Sequence, residues 1–126
     1  MNIIETIERL KLFLHKQVDS LALTSPLIGF SKPLIIRAID NKMYKANGFL
    51  SMVADENGEI DVQSLIPEMI QSVMETKPFI LHTEFLGDLE IGGGFIKMNI
   101  PMTNNQIVLG KTDLDTLRDL FINKGI

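Results

Sequence analysis

The chain has 126 residues, 45% of them hydrophobic and 22% charged, with a formal net charge of −4 and no cysteine. That length suits one domain that buries a core without staples, and the hydrophobic share argues against wholesale disorder. The absence of cysteine excludes disulfide scaffolds, thiolate metal sites, redox pairs and cysteine nucleophiles.

In chain order, residues 2–23 place Ile3, Ile7, Leu10, Leu14, Val18 and Leu21 at steps of three and four. This spacing predicts a long helix with one apolar stripe, widened by Leu12 and Phe13. Ser25-Pro26 ends it and supplies the cap and first-turn proline of a second helix. Leu34, Ile35, Ala38, Ile39 and Met43 form the expected inner face of that helix, and Pro33 is expected to kink it or to split off a turn at 26–31. Asn47-Gly48 reads as its stop. Phe49 to Ala54 reads as a short helical turn, followed by the polar loop Asp55–Glu59. Ser64 is the expected cap of the next helix, because that start leaves Pro67 in the first turn. Leu65, Ile66, Met69, Ile70, Val73 and Met74 are its buried face.

Past Thr76-Lys77-Pro78 the rhythm changes to alternation. Phe79, Leu81, Thr83 and Phe85 point one way, and Ile80, His82, Glu84 and Leu86 the other. Gly87-Asp88 reads as a two-residue hairpin turn, Leu89–Ile91 as the returning strand, and Gly92-Gly93-Gly94 as a turn or bulge at positive φ. Phe95–Ile100 and Gln106–Leu109 complete four strands. Thr112, with Asp115 three residues on, is the expected cap of a last helix in which Leu114, Leu117, Leu120 and Phe121 face inward. Lys124-Gly125 closes it. Together these predict a single α+β domain over residues 1–126. Its helical part spans 1–76, a four-stranded antiparallel meander 78–110 and a C-terminal helix 112–124, with the helices covering one face of the sheet.

Few residues invite chemistry. Asp55, Asn57 and Asp61 resemble part of a calcium-binding EF-hand loop, with Gly58 at the sharp turn and Ile60 at the apolar position. The first ligand position falls on Val53, however, and the last, normally a bidentate Glu, on Ser64. Too few oxygens remain to replace a calcium hydration shell, so an Asn-Gly turn between helices is the expected role. Gly110-Lys111-Thr112 imitates the end of a phosphate-binding loop, but Asn105 stands where its first glycine belongs and a strand fills the interval. His15 and His82 have no His or Cys at metal-ligand spacing. His82 and Glu84 share a strand face as a possible acid–base pair, or as an ordinary solvent-facing row. No catalytic, cofactor-binding or metal residue is therefore nominated, and the chain is expected not to be an enzyme. Met52, Met69 and Met74 lie around the middle helices. They belong to the core unless residues 49–54 leave that face open, in which case they line an apolar groove for a partner.

Residues 1–48 carry a net +3 and residues 49–126 a net −7. The basic residues are spread singly, with no Trp and one Tyr available for base stacking, so nucleic acid is not an expected partner. Opposed halves suit contact between copies of the chain. No apolar run approaches the roughly 20 residues of a membrane span, and charges break the N-terminal stretch that a secretory signal keeps apolar. The expectation is a cytoplasmic, non-catalytic structural or interaction module, binding itself or another protein. Its Ile- and Lys-rich, Ala-poor composition is that of AT-rich coding sequence and fits a phage or prophage accessory protein. The alternative is a binder of a small, lipid-like apolar ligand, since the sheet-then-helix ending resembles that of sterol-carrier-like domains, a likeness that implies an apolar cavity.

Overall fold

A computed structural model describes residues 1–122, in which four helices precede four strands and a fifth helix. Helix α1 (Ile3–Ala22) starts where the Asn2 side chain accepts the Glu5 N–H, satisfying one of the orphan donors of the first turn. Its apolar stripe is as the spacing predicts, with Ile7, Phe13, Leu14 and Val18 buried, whereas Leu12 is exposed. Helix α2 (Pro26–Met43) is capped by Ser25 and runs through Pro33 as one element. Its buried residues are Ile28, Ile35, Ile39 and Met43, at steps of seven and four. Leu34 is exposed rather than inward, because it falls on a different stripe of the same helix.

Asn47-Gly48 does not end α2. The helix stops at Met43, and both residues lie in the first turn of α3 (Ala46–Val53), where Gly48 keeps an ordinary negative φ. Helix α4 (Val62–Glu75) is capped by Asp61, not Ser64: the Asp61 carboxylate accepts the Ser64 N–H at 3.3 Å. Pro67 is therefore inside the helix. The earlier start buries Ile60 and Val62 beside Ile66, and the carbonyl that Pro67 cannot satisfy belongs to exposed Gln63.

The strands β1 (Phe79–Thr83), β2 (Gly87–Gly92), β3 (Phe95–Asn99) and β4 (Gln106–Leu109) pair antiparallel in sequence order, so β1 and β4 are the edges. The register aligns Leu81, Leu89, Met98 and Ile107 in one inner row and Phe79, Ile91, Ile96 and Leu109 in the next. The first hairpin differs from the expected two-residue turn. Its loop is Glu84–Leu86, closed by Thr83, whose Oγ1 accepts the Leu86 N–H and donates to the Gly87 carbonyl. Gly87, at φ +72°, supplies the positive-φ residue that follows a three-residue loop. Between β3 and β4, a turn with Pro101 second and Met102 third holds Met102 at φ +67°, a position where glycine is the usual choice.

Helix α4 packs on β2 and β3, α5 (Lys111–Ile122) on β4, α4 and α1, and α2 on α1. The helices thus cover one sheet face, and the core between them includes Phe121, Leu114, Ile100 and Val73. The cap of α5 is Gly110, not Thr112: the Gly110 carbonyl accepts the Leu114 N–H, and the Asp113 carboxylate reaches back to the Gly110 N–H, one limb of a capping box. Asp115 instead takes the Lys111 ammonium at 2.7 and 2.8 Å, a hydrogen bond that holds its carboxyl below the usual range. At the other end, the Arg9 guanidinium donates to the Leu120 carbonyl, placing a cation at the negative end of α5. Lys124-Gly125 lies outside the described residues.

The glycine triplet joins the two halves. The Gly93 N–H donates to the Thr76 carbonyl at 2.8 Å and the Gly94 N–H to the Val73 carbonyl at 3.0 Å, satisfying carbonyls at the C-terminus of α4. All three glycines have positive φ, and a Cβ on Gly92 would lie 2.8 Å from the backbone of Thr76 and Lys77. Gly92→Ala is accordingly expected to cost at least about 2 kcal/mol. Gly48→Ala, in open space on a helix, should gain about 0.5–1 kcal/mol. Urea midpoints at unchanged m-value test both.

Candidate functional site

The Asp55–Asp61 loop is closed by its own carboxylates. Asp55 Oδ1 accepts the N–H groups of Asn57 at 2.8 Å and Glu59 at 3.0 Å, and the Asp55 carbonyl accepts the Gly58 N–H. Asp61 caps α4, and Glu59 pairs with the Met1 ammonium at 2.8 Å. The loop is tied to the start of α1 by a bridge between Asn2 and Glu59 and by the Ile60 N–H donated to the Met1 carbonyl. Asp55 and Asp61 therefore each accept backbone amides. Among the described residues, no group of three or more His, Cys, Asp or Glu is placed to hold a metal ion.

The two histidines lie in separate places. His15 Nε2 meets Asp40 Oδ1 at 2.6 Å, a half-buried link between α1 and α2. His82 pairs across strands with Asp88, also at 2.6 Å, and both are exposed. Glu84 is not its partner: it stands in the hairpin loop, beyond the alternation that would have aligned the two. Lys111 is bound to Asp115 and the Gly110 amide to Asp113, so the phosphate-loop imitation is a helix start. Met52 is on α3, which packs on α1 and α2, and is 83% exposed. Met69 and Met74 are half-buried on α4, which packs on α5, β2 and β3.

What the fold does assemble is exposed apolar surface in ordered sets. Helix α2 carries a second stripe, Leu27, Phe30 and Leu34, with Phe30 at 89% exposure, and Leu23, at 87%, lies in the turn that precedes the helix. Steps of three and four put the three α2 residues on one side of the helix. Strand β1 is the other set. Phe79, Ile80 and Leu81 are each about half exposed, and no residue of the strand is buried. Phe79 and Leu81 belong to the inner rows, yet α4 packs over β2 and β3, leaving the inner face of β1 open. Nearby, Phe49 and Phe85 stack at a tilt with ring centroids 6.0 Å apart, joining α3 to the first hairpin loop. Periodicity alone did not reveal either set, because alternation in β1 looks the same whether or not a helix lies over it. The signal that was present is the surplus of apolar positions on α2, more than one inward stripe can hold.

Room for a small ligand is scarce by comparison. The enclosed pocket between Leu14, Ile39, Phe85 and Met98 holds about 20 Å³, space for one water, against the roughly 300–1,000 Å³ of small-molecule sites. A groove of about 420 Å³ beside Val53, Asp55 and Val62 is open and lined by mixed polar and apolar groups. Compared with family models, curated proteins and solved structures, the chain matches none.

Asp55→Ala should lower stability by about 1–2 kcal/mol, since two amides lose a charged acceptor. Millimolar calcium should leave the Tm of the native chain unchanged. A calcium-dependent rise of several degrees would make the loop an ion site instead.

Proposed function

We propose that this chain is a non-catalytic structural or interaction module that associates with a second copy of itself. The observation that supports this reading is the ordered exposure of large apolar side chains, along α2 and along β1. Single exposed leucines are ordinary on a protein surface, but contiguous apolar sets mark places where a partner excludes water. The dispersal of the ionisable groups supports the same reading. Both histidines and several of the carboxylates and lysines are engaged in caps, loop closure and isolated pairs, and among the described residues no pairing of base with nucleophile emerges from them. A cytoplasmic setting belongs to this reading, which requires neither disulfides nor a membrane.

Light scattering on the full chain across a hundredfold range of concentration should show mass rising from monomer towards dimer. A constant monomer mass would count against the proposal. Phe30→Ser should leave the unfolding free energy from urea titration unchanged within about 0.5 kcal/mol, as expected of a side chain in solvent.

A further inference from the structure

We infer that the surface used for this self-association is β1, through two-fold antiparallel pairing of Phe79–Thr83 with the same strand of a second copy, giving one continuous eight-stranded sheet. The inference rests on the self-association proposed above and assigns its contact.

Four features of β1 support this occupant. First, it is an edge strand, so alternate N–H and C=O groups point away from β2, and another strand satisfies them in register. Second, it lacks the usual guards of a sheet edge. Phe79-Ile80-Leu81-His82-Thr83 contains no Lys, Pro or acidic residue, and none of the positive-φ residues of a bulge falls within it. Third, its inner face is uncovered, with Phe79 and Leu81 half exposed next to the buried Leu89, Ile96 and Met98. A second copy of β1 extends that apolar layer with matching side chains. Fourth, the strand has unlike charges at its two ends. Lys77 lies just before it and Glu84 just after it, both exposed, and neither side chain makes a hydrogen bond or ion pair within the described residues.

Antiparallel pairing with Leu81 on the two-fold axis uses all five strand residues, with Leu81 opposite Leu81, Ile80 opposite His82 and Phe79 opposite Thr83. Pro78, which has no N–H to donate, stays outside the ladder. Lys77 of each copy, opposite Phe85, then lies at the same end of the ladder as Glu84 of the other, one position along, twice by symmetry. A parallel arrangement would set like charges together. The contact is short beside the roughly 1,200–2,000 Å² of stable interfaces, so the dimer dissociates on dilution.

Charge reversal tests the geometry in the full chain by sedimentation equilibrium. Lys77→Glu and Glu84→Lys each turn two attractions into repulsions and should weaken dimerisation about tenfold. The double variant Lys77→Glu/Glu84→Lys restores the pairs with ends exchanged and should return to within about twofold of the native constant. Leu81→Lys, which sets two ammonium groups on the axis, should leave only monomer, with the circular dichroism spectrum confirming the fold. A dimer indifferent to all four variants overturns this inference and leaves self-association to another surface such as α2. A chain that stays monomeric at millimolar concentration overturns both. Single reversals without effect, or a double variant as weak as the singles, overturn the antiparallel register.

Discussion

The junction of α4 with the sheet sets the rest of the architecture. Helix α4 ends at Glu75 and β1 begins at Phe79, so a three-residue link must turn the chain from the helical layer into the sheet. The Gly92–Gly94 turn fits into that corner and donates two N–H groups to carbonyls at the end of α4. At Gly92 the approach leaves no room for a Cβ, and all three glycines hold the positive φ that side chains rarely adopt. With its C-terminus fixed there, α4 lies over β2 and β3, α5 follows over β4, and β1 is left beyond the edge of the helical layer. The open strand is thus a consequence of the junction rather than a separate feature.

Much of this was legible in the residues. The helix–meander–helix order, the antiparallel sheet and the inward stripes of α1, α4 and α5 follow from spacing, apart from Leu12 and Leu65, which are exposed rather than inward, because each element must bury one apolar face. Local chemistry was less readable. Asp61 and Ser64 were both competent caps, and the choice depended on burial of Ile60 and Val62, a tertiary gain that outweighs an interior Pro67. Gly87-Asp88 looks like a two-residue turn until Thr83 is seen closing a three-residue loop with its hydroxyl. Asn47-Gly48 looked like a stop signal, yet α2 ends earlier and its Tyr44 C-cap keeps a right-handed conformation that needs no glycine. Gly110 displaced Thr112 as the cap because the Asp113 carboxylate reaches back to its amide.

The functional surface was legible only in part. A partner-binding groove around Met52, Met69 and Met74 was the expectation should residues 49–54 leave that face open, and the structure leaves Met52 in solvent while the other two rest against the core. The stronger apolar sets are hidden in the sequence for a physical reason. Leu34 belongs with Ile35 to the expected inner face of α2, but a helix turns 100° per residue, and the buried stripe at Ile28, Ile35 and Ile39 excludes Leu34. For β1, alternation establishes two faces and is silent on whether a helix reaches far enough to cover the inner one.

The account turns on whether β1 or another apolar surface leaves solvent when copies meet. Amide hydrogen exchange, followed residue by residue at low and high protein concentration, reads this directly. Protection that grows with concentration at Phe79–Thr83, while Leu23–Leu34 stays unchanged, is the predicted result. Growth confined to α2, or exchange at β1 independent of concentration, would contradict it.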